Sequence, residues 1–213
     1  MIGPTLSSLQ SLRLSGHEVI VVDGGSQDTT EMLAQPLSDQ FIRGPRGRAR
    51  QLNAGARIAK GDILLFLHAD TLLPESADLL IIDELRVSNK SWGHFDVILS
   101  GGHPLLRVVE CLMNWRSRLT GIATGDQGIF MKKELFERVG GFPEIELMED
   151  IALSKILKRY GAPLCLRQKV ITSSRRWERN GILHTIFLMW RLRLAYALGA
   201  DPDRLARSYG SLT

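Results

Sequence analysis

The sequence predicts an α/β protein whose mostly parallel sheet is flanked by helices. Three observations carry this expectation. Strand-like and helix-like segments alternate along the chain, the pattern of layered α/β domains. One strand, "DILLFL" from Asp62 to Leu67, is a continuous apolar run of the kind covered on both faces in a parallel sheet. Two strands end in polar residues, Asp23 after "VIVV" and His68 with Asp70 after "ILLFL". In such sheets ligands sit beyond the carboxyl ends of the strands.

The elements follow in order. "HEVIVVDGG" packs β-branched residues together and then turns at Asp-Gly, so it reads as a strand. "SQDTTEMLAQ" starts a helix, with Ser26 or Asp28 as its cap. "FIRGPRGRARQLNAGARIAKG" holds a short strand, a Gly/Pro loop and a helix from about Arg48 to Ala59. After the apolar strand come a helix over Glu75–Val87, a strand over His94–Leu99 and a long helix over Pro104–Leu119. "GDQGIFMKKELFERVGGF" reads as loop, strand and a helix closed by Gly140-Gly141. "MEDIALSKILKRYGA" is an amphipathic helix ending at Gly161, and "PLCLRQKVITS" is a further strand.

At 213 residues the chain suits one domain with a real core. The net charge is only +4, but it is unevenly placed. Six basic residues and no acid lie between Arg43 and Lys60; seven lie between Arg167 and Arg193 against Glu178 alone. Two local basic stretches fit a phosphorylated ligand or an anionic surface better than a uniformly basic coat does. No helix-turn-helix, zinc-finger or RNA-binding signature is present, so nucleic acid is not the expected partner. Cys111 and Cys165 have apolar neighbours and no CxxC spacing, and read as reduced core residues of a cytoplasmic protein. "ILHTIFLMWRLRLAYALGA" (Ile182–Ala200) is interrupted by Arg191 and Arg193 before it is long enough to span a bilayer. It suits a core helix or an interfacial one.

Four constellations could carry chemistry. "VVDGGSQDTT" puts Asp23 and Gly24 at a strand end ahead of a helix N-terminus, which favours an anion; an Asp-Gly turn is also common without function. "HADT" supplies one hard oxygen ligand, Asp70, and Mg²⁺ or Mn²⁺ on a diphosphate needs one or two carboxylates from the protein. His68 could ligate Mn²⁺, hydrogen-bond a phosphate, or simply pack beside the site. "MEDIAL" opens a helix with Glu149 and Asp150, either as first-turn acids or as a general base at the helix mouth. "SSRRWERNG" offers Arg175 and Arg176 as forks for phosphate oxygens and Trp177 as a flat face; a solvated loop is the bland alternative.

The order of these motifs along one α/β chain resembles glycosyltransferase family 2, with its GT-A nucleotide-sugar-binding fold, over about Glu18 to Arg207. The resemblance implies that Asp23 contacts the base or ribose, with Arg46, Arg50 and Asn53 of "RGRARQLNAGARIAKGD" near the nucleotide. "LHADT" occupies the position of the family's DxD, making Asp70 the metal carboxylate. Asp126 and Gln127 of "TGDQGIF" become acceptor or donor-sugar contacts, and Asp150 falls on the catalytic base with Glu149 beside it. "SSRRW" stands where processive synthases carry Gln-x-x-Arg-Trp, with Ser173 in the Gln position. "FLHADT", "GDQGIF" and "SSRRWERNG" together look most like a small bacterial subgroup of arsenosugar-biosynthesis glycosyltransferases.

The resemblance thus implies one domain over 1–213, with 182–213 a C-terminal helical extension. The implied activity is inverting transfer of a sugar from a nucleotide-diphospho-sugar to a hydroxyl of a small-molecule or lipid acceptor, with Mg²⁺ or Mn²⁺, in the cytoplasm or at the membrane surface. The family's first strand has no counterpart, because Met1 leads directly into "IGPTLSSLQSLR", which looks like the helix after it. A downstream-assigned start or a truncated chain would explain this, and unpaired neighbouring strands are the expected cost. The alternatives are a non-catalytic sugar- or nucleotide-binding module and a sugar-phosphate nucleotidyltransferase.

Overall fold

A computed structural model describes residues 2–210. The chain opens with α1 (Ile2–Ser8) and α2 (Gln10–Leu14), then β1 (Ile20–Asp23), α3 (Thr30–Ala34) and β2 (Gln40–Arg43). Next come α4 (Arg48–Ile58), β3 (Ile63–Phe66), the short β4 (Thr71–Leu72) and α5 (Ala77–Ser88). β5 (Trp92–Leu99), α6 (Pro104–Thr120), β6 (Ile129–Lys132), α7 (Lys133–Val139), α8 (Glu149–Leu157) and β7 (Leu164–Thr172) follow. The chain closes with α9 (Arg175–Asn180), α10 (Ile182–Ala197) and α11 (Pro202–Gly210).

The expected elements are present, with two local differences. α3 begins only at Thr30, because the Ser26 hydroxyl and amide both donate to the Asp23 carboxylate and hold that stretch as a turn. Asp28 does accept the Thr30 amide, at 3.1 Å. The Arg175–Asn180 segment, for which a solvated loop was one alternative, is helical.

The strands form a two-stranded sheet, β1-β2, and a five-stranded sheet in the order β3-β6-β5-β7-β4. The α/β class holds, with mixed strand directions. β1–β2 and β5–β7 are parallel, whereas β3–β6, β5–β6 and β4–β7 are antiparallel. Alternation of strand and helix does not specify direction, and α6 shows why. It descends along β5, with Glu110 at the Leu99 amide, Asn114 at Val97 and Arg118 at Asp96. The chain then reaches β6 at mid-strand and continues the same way, pairing Ile129 with His94 and Met131 with Trp92.

Side chains alternate across the larger sheet and build a core on each face. Leu64, Phe66, Ile129 and Met131 pack against α4, α7 and α8. Phe130, Phe95, Val97 and Leu99 pack against α5 and α6 on the other face. Gly93 lets β7 approach β5 closely, since a Cβ there would lie 2.3 Å from the Leu164 carbonyl oxygen. Among the described residues β1 pairs only with β2, and β3 only with β6, so the sheets are not joined edge to edge. They are tied at their ends instead: the Lys60 amide donates to Glu18 at 3.0 Å, and Thr5 Oγ1 donates to the Ala69 carbonyl at 2.9 Å. Both cysteines are free; Cys165 is half-buried, but Cys111 sits on the exposed side of α6, outside the core expected for it.

Candidate active site

A cavity of about 1350 Å³ begins in the gap between β1 and β3 and continues past the end of β3 to Arg175, Arg176 and Trp177. Its floor is the segment Leu67–Asp70, which carries the chain from one edge of the five-stranded sheet to the other. That crossing ends where Thr71 pairs with Thr172, their hydroxyls 3.0 Å apart. Asp70 is therefore presented over the strand ends. It lines the cavity, and its carboxylate has no hydrogen-bond partner among the described residues.

A second carboxylate comes from the 3-10 turn Gly125–Gln127, which Thr124 and Gln127 stabilise as a reciprocal capping box. Asp126 projects from this turn to His68 Nδ1 at 3.1 Å. Burial would raise its pKa, but the His68 hydrogen bond and the charges of His68, Arg48 and Arg176 outweigh that and bring it down to about 2. The side chain is still 46 % accessible, because it reaches into the cavity while protein surrounds it.

The third pair stands at the mouth of α8. Met148 adopts a left-handed conformation (φ 70°) that turns the chain sharply into the helix, although its side chain is buried. Glu149 is 2 % exposed and accepts from Arg48 at 3.2 Å. Burial first, and the neighbouring Asp150 second, push its carboxyl pKa up. Asp150 Oδ2 accepts the Gly125 amide at 2.8 Å and Oδ1 accepts the Ile151 amide at 2.7 Å. Gly125 thus links two parts of the site. A Cβ there would lie 2.3 Å from His68 Nε2, so only glycine lets the imidazole and the Asp150 bond meet at this point. Asp126 stands on the cavity wall, and Asp150 lies just behind it, beside a void of about 10 Å³ shared with His68, Arg48 and Glu149.

The structure brings together His68, Asp70, Asp126, Glu149, Asp150, Arg175, Arg176 and Trp177 around one end of the cavity. The other expected site residues are placed differently. Asp23 is held in its own turn, accepting from Gly25 and Ser26, with its pKa lowered chiefly by the Ser26 hydroxyl; Val22, not Asp23, lines the cavity. Gly24 packs against the Gln51 amide. Arg46 is exposed, and Arg50 turns away toward Glu146 at 3.3 Å and Glu144 at 3.8 Å. Asn53 is buried and bonds both the carbonyl and the amide of Phe142, at 2.9 and 2.8 Å. Gln127 is fully buried and bonds Ser117 Oγ, the Phe95 carbonyl and the Thr124 amide. Both amides are thus used to hold the fold. His68, considered as a metal ligand, has Nδ1 on Asp126 and Nε2 buried against Gly125, so neither ring nitrogen is open to an ion.

Three arginines at the site were missed. Arg48 faces Glu149, Asp126 and Asp150; Arg116 and Arg193 feel the charges of Asp150 and Asp126. The signal for the last two was available, since each is a lone charge on an otherwise apolar helix face.

Among the described residues no group of three or more His, Cys, Asp or Glu could hold a metal. The donor set suits an ion completed by a ligand's own phosphates: one free carboxylate, Asp70, in a cavity flanked by Arg176.

The sheet order, the presented Asp70 and the acidic helix mouth define a domain of GT-A type, the fold on which nucleotide-sugar transferases are built. The chain belongs to glycosyl transferase family 2, whose profile matches residues 1–139. It is 25 % identical to a poly-beta-1,6-N-acetyl-D-glucosamine synthase of Staphylococcus epidermidis, over 97 % of this chain and 53 % of that one. The Staphylococcus aureus (strain COL) protein of the same name is 26 % identical over 98 % and 53 %. The chain thus spans about half the length of these curated relatives. Two solved structures share the fold. One is the mannosyltransferase PcManGT from Pyrobaculum calidifontis in complex with GDP-Man and Mn²⁺, with TM-score 0.57, 21 % identity, and coverage of 99 % of this chain and 66 % of that one. The other is S. aureus TarS 1-349 in complex with UDP-GlcNAc, with TM-score 0.62, 16 % identity, and coverage of 81 % and 54 %.

Proposed function

We propose that this chain is an inverting, metal-dependent glycosyltransferase that moves a sugar from a nucleotide-diphospho-sugar to an acceptor hydroxyl. The observation that carries the reading is convergence. Asp70 after β3 and Asp126 in the 3-10 turn line one end of the cavity with Arg48 and Arg176, and Glu149 with Asp150 on α8 lie behind that wall, joined to it through Arg48 and the Gly125 amide.

Asp150 serves as general base and takes the proton of the acceptor hydroxyl. The acceptor oxygen then bonds the anomeric carbon as the bond from that carbon to the diphosphate breaks on the opposite face. Arg175 and Arg176 line the cavity where the departing diphosphate carries its charge, and guanidinium forks suit its oxygens. Mg²⁺ or Mn²⁺, held by Asp70 together with the donor phosphates, would supply further neutralisation of the leaving group. His68 and Arg48 keep Asp126 ionised, so that it accepts hydrogen bonds from sugar or acceptor hydroxyls without competing for the acceptor proton. The buried Glu149, its pKa raised and tied to Arg48, supports the position of Asp150.

The direct test is release of nucleoside diphosphate from UDP-GlcNAc or GDP-mannose with Mn²⁺ or Mg²⁺, and its loss on chelation. Nucleotide binding without turnover for any donor would favour a non-catalytic module.

We also propose that the enzyme works in the cytoplasm at an anionic membrane surface. Among the described residues no helix is long and apolar enough to cross a membrane. α10 nevertheless exposes Leu183, Phe187, Trp190 and Leu194, one stripe at helical spacing that Leu198 continues just past its end, with Trp190 67 % exposed. α6 exposes Leu105, Val108, Leu112, Trp115 and Leu119 in the same way. Arg191 and Arg179, both exposed, supply charge complementary to anionic headgroups. Replacing Phe187 and Trp190 by Ser should abolish co-flotation with phosphatidylglycerol vesicles; undiminished flotation would remove α10 from the interface.

A further inference from the structure

Arg116 of α6 and Arg193 of α10 are used neither by the fold nor by the mechanism above. Nε and Nη2 of Arg116 and Nε of Arg193 are buried without a hydrogen-bond partner among the described residues. Neither side chain is in an ion pair there, so charged donors are withdrawn from water and left unsatisfied, which is costly. Burial, and then the charge of Arg193, brings Arg116 down to about 10, and burial lowers Arg193 as well.

Helix geometry places the two at one seam. Arg193 lies seven residues after Ile186 and so shares its face; Ile186 and Ile182 pack on the cluster that holds Val109 and Met113 of α6. Arg116 lies seven residues after Val109 and three after Met113, on that same side of α6. Both arginines feel Asp150 and Asp126, yet those carboxylates bond elsewhere, to Gly125 and Ile151 and to His68. Arg193 also lines the cavity. Two guanidiniums with buried, unpartnered N–H groups, within electrostatic range of Asp150, present several donors to one oxyanion, the arrangement that recognises phosphate.

We propose that Arg116 and Arg193 form a subsite for a phosphate group on the acceptor, anchoring it so that its hydroxyl lies beside Asp150. That the ligand is an acceptor rests on the sugar-transfer reading; that the subsite binds phosphate does not. The phosphate could belong to a soluble molecule or to a lipid headgroup. The exposed apolar stripes of α6 and α10 lie next to this seam on both helices.

The experiment titrates inorganic phosphate into the full chain, following ³¹P line width and the fluorescence of Trp115 and Trp190. R116Q/R193Q should weaken binding roughly 10- to 100-fold, the loss expected for charge-assisted hydrogen bonds. R175Q/R176Q should retain a phosphate site that the first variant lacks. Undiminished affinity in R116Q/R193Q, or loss of all binding in R175Q/R176Q, overturns the proposal. Should the first variant not fold, R193K keeps the charge and loses the fork; its phosphate affinity falls, or the proposal does. Vesicles of phosphatidylcholine with and without phosphatidic acid distinguish the sources. Arginine-dependent capture by phosphatidic acid assigns a lipid-borne phosphate, and indifference to vesicles beside arginine-dependent binding of free phosphate assigns a soluble one. A chain with this phosphate site but no turnover of any donor would defeat the transferase reading and leave the subsite standing.

Discussion

Asp150→Asn separates the chemistry of the site from its architecture. The carboxylate accepts two backbone amides, Gly125 at 2.8 Å and Ile151 at 2.7 Å. Asn retains one acceptor oxygen and turns an NH₂ toward the other amide, so one buried donor loses its partner. That costs about 1–3 kcal/mol of stability. Loss of a general base costs a further, different quantity: roughly a hundred- to ten-thousand-fold in turnover, or about 2.7–5.5 kcal/mol of barrier. The proposed diphosphate contacts, Asp70, Arg175 and Arg176, line the cavity away from this carboxylate, so on that reading donor affinity should stay near the wild-type value. Calorimetric donor titration and nucleoside-diphosphate release, both well below the melting temperature, measure the two separately. Equal losses of affinity and turnover would refute the assignment. So would an Asp126→Asn variant that is inactive beside a nearly normal Asp150→Asn, because the base would then be the carboxylate on the cavity wall.

Two further predictions concern the frame of the site. Gly125→Ala sets a Cβ 2.3 Å from His68 Nε2 without demanding a forbidden backbone, so its cost is steric, about 1–3 kcal/mol of overpacking. Thermal unfolding should show that loss, and His68→Ala in the same chain should recover most of it; a fully stable Gly125→Ala would show that the contact is not tight. His94 is fully buried, and burial lowers its pKa below the usual histidine value. A depressed pKa means that the unfolded chain binds the proton first. The contribution of His94 is therefore complete above about pH 6.5 and is lost as pH falls, at no more than about 1.4 kcal/mol per pH unit. Urea unfolding from pH 8 to pH 5 should show that slope reduced in His94→Asn, and identical slopes would exclude His94 as its source.

The residues legible in the sequence were those whose placement depends on a strand end or a helix start. Asp70 follows an unmistakable apolar strand and lines the cavity, and Glu149 with Asp150 opens an amphipathic helix and lines the small void behind its wall. Polar residues inside α4 were not legible in that way, because a helix has a packed side and an open one. Asn53 shares a face with Ala49 and Ala56, four residues before and three after, and all three are buried. That spacing was a sign of a packing role. Gln127 carried a comparable sign, the Thr-x-x-Gln pattern of a capping box from Thr124. Nothing local could show that Arg50 would be drawn to Glu144 and Glu146, since that partnership depends on the tertiary fold. Strand direction was hidden for a similar reason: it depends on where α6 delivers the chain against β5.

His68 is where these lines of argument meet. A carboxylate in its position would stand with Asp70 as a second hard ligand and add a negative charge to the cavity. The imidazole instead bonds Asp126 and closes against Gly125, leaving Asp70 alone. The acids Asp70, Asp126, Glu149 and Asp150 are then offset by Arg48, Arg116, Arg175, Arg176 and Arg193. A cavity so balanced has little surplus negative charge with which to hold a divalent ion by itself, and one carboxylate gives weak coordination. The missing ligands and the missing charge both come with a diphosphate. Metal and donor should therefore bind as a linked pair, each raising the affinity for the other by the same factor. Substitution at position 68 would then leave room for metal-assisted chemistry while making the ion depend on the donor.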